Sequence, residues 1–506
     1  DLLRGARAAR TPQQLSLARF SRRIALVELA ICAIVFATGL LQGQPALLKF
    51  MTALSLAVAA EPEALPADNT LALGLGARRL GEKNALVRRL PAVESLGSVT
   101  YICADKTGTL TETRMTLAAI YSAGLEHRDP PAPPTGLHGQ RIGEILALCN
   151  DVDAGTRRGD PTELALVEGA RAMDVDKQAL EARLPRIGEL PFEAGRRCMV
   201  TLHDGPDGPL ALVKGAPERV NEGCVDQLTA GGRETVTDAL LDAAHTMAER
   251  GYRVLALAYR DDFTGAGTID AAELETGWTF AGLAGLIDPP RPGALEAIRE
   301  CRSAGIVPVM ITGDHPATAR AIARDLEIAD ASSESLAGSE LAALSDDEFE
   351  QHVERVRVYA RVDPEQKIRI VRALQDKGHF VAMTGDGVND APALKAATIG
   401  VAMGQRGTEV AREAAEIVLL DDSFATIVTA VNEGRRIFDD IRKFIRYTMT
   451  SNSGEIWVLV LAPLLGLPLP LLPLHILWIN LVTDGLPGLA LSAEPAERDV
   501  MRRSAR

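Results

Sequence analysis

The chain has no C-x-x-C or C-x-C pair; its six cysteines, at positions 32, 103, 149, 198, 224 and 301, stand apart. This argues against a disulfide framework and a thiolate metal centre, and it fits a reducing compartment. An excess of positive charge is also missing. Lys plus Arg number 54 against 68 Asp plus Glu, a formal net charge of −14, which argues against a nucleic-acid binder that works by neutralising phosphates. No GxxxxGK[ST] motif is present, so a P-loop is not the route to any nucleotide. No signal peptide and no internal repeat are visible. What remains is a chain of 506 residues, too long for one core and enough for three or four domains of about 100–200 residues each. It starts on Asp1, and it is expected to be a fragment of something longer.

Hydrophobic residues make up 47% and charged residues 24%, an average that hides an apolar minority. Ile24 to Leu41 carries one charge, Glu28, and approaches the roughly 20 residues a spanning helix needs. Phe50 to Ala60 is uncharged, breaks at Glu61-Pro62-Glu63 and resumes through Leu65 and Pro66 to Leu75, the pattern of a helix broken in mid-membrane. Ile456 to Thr483 contains no Asp, Glu, Lys or Arg, and its prolines suggest two spans about a tight turn. Four spans in two hairpins are therefore expected. Arginine and lysine cluster at 19–23, 78–89 and 435–446, whereas the outer turns carry only Lys49. The positive-inside rule then puts the residues between Arg78 and Arg446 in the cytoplasm, with the plasma membrane the expected location.

Three apolar strands in that stretch end in groups suited to phosphate or metal. Val99 to Ala104 runs into Asp105-Lys106-Thr107-Gly108-Thr109-Leu110-Thr111, Ile306 to Ile311 into Thr312-Gly313-Asp314, and Phe380 to Met383 into Thr384-Gly385-Asp386-Gly387-Val388-Asn389-Asp390. Ligands bind at the carboxyl ends of strands in open parallel sheets. A carboxylate there can attack a phosphoryl group and split one hard step into two. Phosphoryl transfer chiefly needs charge neutralisation. Asp105 and Asp386 are candidates to hold Mg²⁺, and Lys367 is the candidate cation for the phosphoryl oxygens. Taken alone, Lys367 would be read as a solvated helix residue.

In this order the motifs DKTGTLT, KGAPE, TGD and TGDGVNDAPAL resemble those of the P-type ATPases, ion pumps with a phosphorylated aspartate, and most closely the calcium-pump-like branch. The resemblance runs from Thr11-Pro12-Gln13 to Asp499-Val500-Met501. It implies multidomain α/β structure plus membrane α-helices: a haloacid-dehalogenase-like phosphorylation domain in two segments, residues 97–115 and 281–434, with an α+β nucleotide-binding domain, 116–280, inserted between them. Residues 1–96 and 435–506 would carry the stalks and membrane hairpins. It implies catalytic roles for Asp105, Lys106, Thr107, Thr312, Gly313, Asp314, Lys367, Asp386, Asn389 and Asp390, with Thr107 joining Asp105 and Asp386 around Mg²⁺. Within the insert, segments around Gly159 to Glu163, Pro191 to Arg197, Lys214 to Glu218 and Gly251 to Arg253 resemble the family's ATP pocket. Phe192 would stack on adenine and Lys214 would line the cleft, with Glu163, Arg197 and Arg253 nearby. Alone, Phe192 would be read as a core aromatic.

An ionisable residue inside a span is a functional hypothesis by default. Glu63 sits beside Pro62 in the broken span, where a missing backbone donor frees carbonyls to face a cation. Glu455 lies one turn after Asn452, and Asn480, Thr483 and Asp484 recur at helical spacing. Together they offer an oxygen-only cage suited to a hard cation such as Ca²⁺, Mn²⁺ or Na⁺. The resemblance adds Val58, Ala59 and Glu61 to this cage by position, implies one site at Glu63, Asn480 and Asp484, and a second at Asn452, Glu455, Thr483 and Asp484 that also takes a ligand from a later span. Glu61 stands where calcium pumps usually have an apolar residue, and it could bind a proton or face a water-filled vestibule instead.

The expected activity is ATP-driven transport of a hard cation, Ca²⁺ first and Mn²⁺, Na⁺ or H⁺ next, with ATP, the cation and the lipid bilayer as partners and no nucleic acid. The family's actuator tripeptide TGE is not in the chain. Two rivals remain: a membrane-tethered phosphohydrolase, which would have no need of carboxylates in broken spans, and a noncatalytic pump fragment.

Overall fold

The computed structural model describes residues 26–27, 29–37, 46–60, 65–128, 136–153, 155–156, 158–206, 208–229, 232–261, 276–330, 332–465, 467, 470–483 and 485–503. Glu61, Glu63 and Asp484 lie outside these. The chain forms two compact units: one from Asp1–Leu110, Pro292–Ile311 and Leu336–Arg506, the other from Thr111–Arg291 and Thr312–Ser335.

The first unit holds an α/β sheet of strands β1 (Ala85–Val87), β2 (Tyr101–Asp105), β3 (Val307–Thr312), β4 (Val356–Ala360), β5 (Val381–Gly385), β6 (Ile399–Met403) and β7 (Ile417–Leu419). Their order is β1-β7-β6-β5-β2-β3-β4. β2 pairs parallel with β3 and β5, and β6 pairs parallel with β5 and β7. β1 lies antiparallel to β7 at the edge. Parallel strands covered on both faces need continuous apolar runs, and every residue of β5 and β6 is buried. From β2 the order runs through β3 to β4 on one side and from β5 through β6 to β7 on the other. The gap between β2 and β5 is thus a topological switch point, and its crevice opens at the strands' carboxyl ends.

The same unit contains helices α1 (Ala46–Ala60), α2 (Leu65–Glu82), α3 (Pro364–Asp376), α4 (Phe424–Leu464), α5 (Pro473–Thr483) and α6 (Gly485–Leu491). α1 and α2 flank the segment with Pro62, and Pro66 falls in the first turn of α2, where a missing N–H leaves no intrahelical bond unmade. Leu56 and Ala59 of α1 bury against Leu459 of α4 and Ile476 of α5, with Cys32 packed on the cluster. Gly76 of α2 comes so close to Ile437 of α4 that an added Cβ would lie 2.0 Å from its Cδ1.

Four spans are expected from the sequence, but among the described residues one helical stretch, Pro473–Leu491, made up of α5 and α6, is long and apolar enough to cross a membrane. Phe50–Ala59 is a shorter apolar helix. The physical reason lies in how the apolar segments are divided. The broken span becomes two helices of 15 and 18 residues. The third apolar segment is continuous with a charged stalk in one helix of 41 residues.

The second unit is an antiparallel sheet in the order Leu125–Arg128, Thr116–Ser122, Trp278–Ile287, Arg253–Arg260, Gly208–Gly215, Cys198–Gly205, Arg186–Leu190. Alternation of side chains across it gives two cores. Leu117, Leu212 and Leu257 meet Ile142, Ile145 and Leu166 in one, and Val200, Val213 and Ala256 meet Leu240 and Met247 in the other.

Candidate functional site

Asp105 closes β2 beside the switch point. Its Oδ2 accepts from Lys367 Nζ at 2.8 Å, and the same ammonium donates to Asp390 Oδ1 at 2.7 Å. The Thr107 N–H donates to Asp105 Oδ1 at 3.3 Å. The Asp105 N–H donates to Thr384 Oγ1 at 3.0 Å, tying the end of β2 to β5. Asp390 Oδ2 accepts from the N–H groups of Asp386 (3.2 Å) and Gly387 (2.9 Å). Beyond Asp105 the chain turns through Gly108 at φ 79°, a left-handed conformation that a Cβ disfavours.

Lys367 reaches this point because α3 is fixed at its start. Asp363 caps the helix by accepting the Gln366 N–H at 2.8 Å, Gln366 returns a bond to the Asp363 N–H, and Pro364 occupies the first turn. One turn on, Lys367 is 8% exposed, so the solvated-helix alternative does not describe it. Burial alone would lower its pKa, but Asp105 and Asp390 outweigh burial and hold it above the ordinary lysine value. Burial raises the Asp105 pKa, against the pull of Lys367. Burial, then repulsion from Asp105 and Asp390, raises that of Asp386. Two carboxylates thus share one ammonium, with a third, Asp386, close enough to feel their charge. That excess of negative oxygen fits a divalent hard cation, which takes few protein carboxylates together with phosphate and water. Among the described residues, no group of three or more His, Cys, Asp or Glu is arranged to hold a metal by itself.

The other expected groups are more dispersed. Lys106 is buried, Thr107 half-buried and Asn389 exposed. Thr312, the last residue of β3, is buried and its Oγ1 accepts from the Asp314 N–H at 3.1 Å, while Gly313 is exposed.

The second unit carries a cavity of about 990 Å³ lined by Glu163, Phe192, Arg197, Lys214 and Arg253, five residues expected from the sequence. Lys214 Nζ donates to Glu163 Oε1 at 2.5 Å, and Glu163 Oε2 accepts from the Asp151 N–H at 3.0 Å. Arg253 Nη1 donates to Thr162 Oγ1 at 3.2 Å, and Arg197 pairs with Glu218 at 3.1 Å. Phe192 is 62% exposed, so its ring is free to stack and is not a core aromatic. Asp151, Asp242 and His245 also line the cavity and were not anticipated. Asp242 and His245 sit three apart on the helix Ala239–Glu249, a spacing too common to single them out.

Of the expected cation ligands, Glu61, Glu63 and Asp484 lie outside the described residues. Val58 is half-buried and Ala59 buried on α1. Asn480 of α5, with its amide oriented to satisfy its neighbours, donates to both Glu455 oxygens at 2.8 and 3.2 Å. Asn452 and Asn480 are 2% and 3% exposed, and neither amide atom of Asn452 has a hydrogen-bond partner among the described residues. Thr483 Oγ1 donates to the Ile479 carbonyl at 2.8 Å, and the Thr483 carbonyl accepts from Tyr447 Oη at 2.8 Å.

Residues 140–293 match the family described as P-type ATPase, cytoplasmic domain N, and residues 468–506 match that described as cation transporting ATPase, C-terminus. The chain is 45% identical over 502 residues to calcium-transporting ATPase 1 of Bacillus cereus, covering 98% of the chain and 56% of that protein. It is 44% identical to the calcium-transporting ATPase of Bacillus subtilis, over all of the chain and 60% of that protein. It is 43% identical to the probable cation-transporting ATPase F of Mycobacterium bovis, over all of the chain and 59% of that protein. The chain therefore spans less than two thirds of the length of these relatives.

Proposed function

We propose, since the chain belongs to the P-type cation ATPases, that it carries the phosphorylation, nucleotide and cation sites of an ATP-driven pump for a hard cation, with Ca²⁺ the first choice. The observation that carries this reading is the Lys367 ammonium held between Asp105 and Asp390 at the switch point. Burial favours a neutral, inert Asp105, and Lys367 opposes that by stabilising the carboxylate. An Asp105 oxygen would attack the terminal phosphorus of ATP, forming an aspartyl phosphate and releasing ADP. The bond between the phosphorus and the bridging oxygen breaks, and that oxygen leaves on ADP. Lys367 would balance charge on the transferred oxygens, and the N–H of Thr107 would hold the nucleophile in line. Mg²⁺, held by Asp105 and Asp386 with Thr107 beside them, would supply the further positive charge that this excess of carboxylate calls for.

The doubly wound sheet of the first unit supports a haloacid-dehalogenase-like phosphorylation domain, and the antiparallel second unit a nucleotide-binding insert. Phe192, free to stack, would take adenine, with Lys214 and Glu163 at the back of the cleft and Arg197 and Arg253 at its mouth. The Glu455–Asn480 pair and the Asn452 amide, unpartnered among the described residues, support an oxygen cage that Glu63 and Asp484 would complete. Four spans would place that cage in the membrane, with the catalytic units cytoplasmic. Calcium rests on the oxygen-only donors and on the names of the Bacillus relatives, and Mn²⁺, Na⁺ or H⁺ would use the same mechanism.

The test is phosphorylation of the membrane-inserted chain by γ-labelled ATP with Ca²⁺, Mn²⁺ or Na⁺ varied. A hydroxylamine-sensitive label that requires one of these cations and disappears in Asp105→Asn is expected. A label indifferent to every cation would point to a phosphohydrolase, and no label at all to a noncatalytic fragment.

A further inference from the structure

Four side chains on the apolar helices have buried polar atoms without a hydrogen-bond partner among the described residues: Ser55, Asn69, Thr448 and Asn452. Asn452 belongs to the expected cage. Thr448 and Asn69 do not: in the sequence Asn69 is notable only as unusually polar for its segment, and nothing there singles out Thr448. Thr448 lies one turn before Asn452 on α4 and, like Glu455 seven positions on, shares its face. It is 0% exposed, and its Oγ1 has no partner. That is unusual for a helical threonine, which commonly bonds the carbonyl four residues back. Others here do so: Thr429 to Ala425 (3.1 Å), Thr450 to Arg446 (2.7 Å) and Thr483 to Ile479 (2.8 Å). The Thr448 hydroxyl is left over for something else.

Asn69 stands on α2, and two contacts fix its level against α4. Gly76 abuts Ile437, and Arg79 pairs with Glu433 at 3.3 Å, so the helices run antiparallel. Seven residues back from Gly76 bring Asn69 level with Phe444, and Thr448 follows one turn, about 6 Å, further along. The buried and unpartnered Asn69 Oδ1, the Thr448 hydroxyl and the Asn452 amide thus ascend in steps of about one turn toward Glu455 and Asn480. All three are neutral oxygen donors. Such donors replace water around a hard cation without trapping it, which is what a conducting step requires.

We propose that Asn69 and Thr448 form an access subsite for the partly dehydrated transported cation, on the cytoplasmic side of the cage. This rests on the pump reading above, and it assigns these two residues a kinetic role rather than a share of the equilibrium affinity. The cation exchanges inner-shell water for the Thr448 hydroxyl and the Asn69 carbonyl oxygen, and no covalent bond changes.

The experiment follows the rise and decay of cation-stimulated aspartyl phosphate after Ca²⁺ addition and Ca²⁺ chelation. It compares the unaltered chain with Thr448→Val, Thr448→Ser, Asn69→Leu and Thr450→Val, the last an exposed residue of the same helix. Equilibrium binding of radioactive Ca²⁺ is measured beside it. Thr448→Val and Asn69→Leu should slow activation and release alike, by about tenfold for a lost oxygen ligand, with maximal label and equilibrium affinity held. Thr448→Ser, which keeps the hydroxyl, should restore the rates, and Thr450→Val should leave them alone. The proposal is overturned if Thr448→Val matches Thr450→Val, if Thr448→Ser is as slow as Thr448→Val, or if either variant loses affinity in proportion to rate. An unaltered chain without any cation-stimulated label overturns the pump reading first, and the subsite with it. A normal unaltered chain beside unchanged Thr448→Val and Asn69→Leu variants overturns the subsite alone.

Discussion

The switch-point site and the helical cage bury polar groups in opposite ways. At the switch point Lys367, Asp105 and Asp390 meet one another's charges: Lys367 spans Asp105 and Asp390, and Asp390 takes two backbone N–H groups, with the Asp386 carboxylate left in excess. In the helices, the buried Asn452 amide and Thr448 hydroxyl have no hydrogen-bond partner among the described residues. A satisfied network is rigid and holds one geometry, whereas an unsatisfied buried group costs stability until a ligand meets it. On the pump reading, the contrast would separate a site organised before its substrate arrives from one that is completed by its cargo.

The largest effect should follow from breaking the satisfied side. Lys367→Met leaves Asp105 and Asp390 buried without a cation, and removing one partner of such a pair costs about 3–5 kcal/mol. Thermal unfolding should show that loss, and γ-labelled ATP should show phosphorylation down by at least about 100-fold. Unchanged stability would mean that the ammonium is not what compensates these carboxylates. The opposite sign is expected in the helices. Asn452→Leu removes an unpartnered amide, so the cation-free chain should gain about 1–2 kcal/mol while its cation-stimulated label is lost. A destabilised Asn452→Leu would show that the amide is already satisfied and would erase the contrast. Between these extremes lies the cavity of the second unit. Phe192→Ala should weaken nucleotide binding by about 1–3 kcal/mol of stacking, read as a dissociation constant higher by about 5- to 150-fold, with little change in stability because the ring is exposed.

Much of the switch-point site was legible because strands and turns are local. The expected strands over 99–104, 306–311 and 380–383 match β2, β3 and β5 to within two residues at each end. The environment of Lys367 was less legible: its charge alone says surface, and its burial follows from the cap at Asp363 and from neighbours Ile370 and Val371 facing the core. The mutual satisfaction of Lys367 and Asp390 joins residues 23 apart and left no mark on either motif. In the helices, spacing identified Asn452, Glu455 and Asn480, but a threonine declining its usual backbone bond is invisible in sequence. The count of spans is matched only in part, since the expected spans include residues 24–25, 28, 38–41, 61–64, 466 and 468–469, which lie outside the described residues.

The smallest effect tests whether the contrast extends into that stalk. Asp440 is buried on α4, 3.9 Å from Arg436, and its Oδ2 has no hydrogen-bond partner among the described residues. Burial pushes its pKa up to about 6, with Glu494 adding to the rise and Arg436, Lys443 and Arg79 opposing it. A carboxyl with a folded pKa above its unfolded value binds more protons when folded, so stability falls as pH rises from about 4 through 6 and stays reduced above that window. Asp440→Asn should therefore flatten the pH dependence there and add on the order of 1 kcal/mol at neutral pH, while leaving stability near pH 4 nearly unchanged. If unfolding midpoints of the two chains run parallel across pH 4 to 7, Asp440 is compensated like the switch-point charges. If they diverge only above pH 5, the stalk resembles the cage in carrying an unmet polar group.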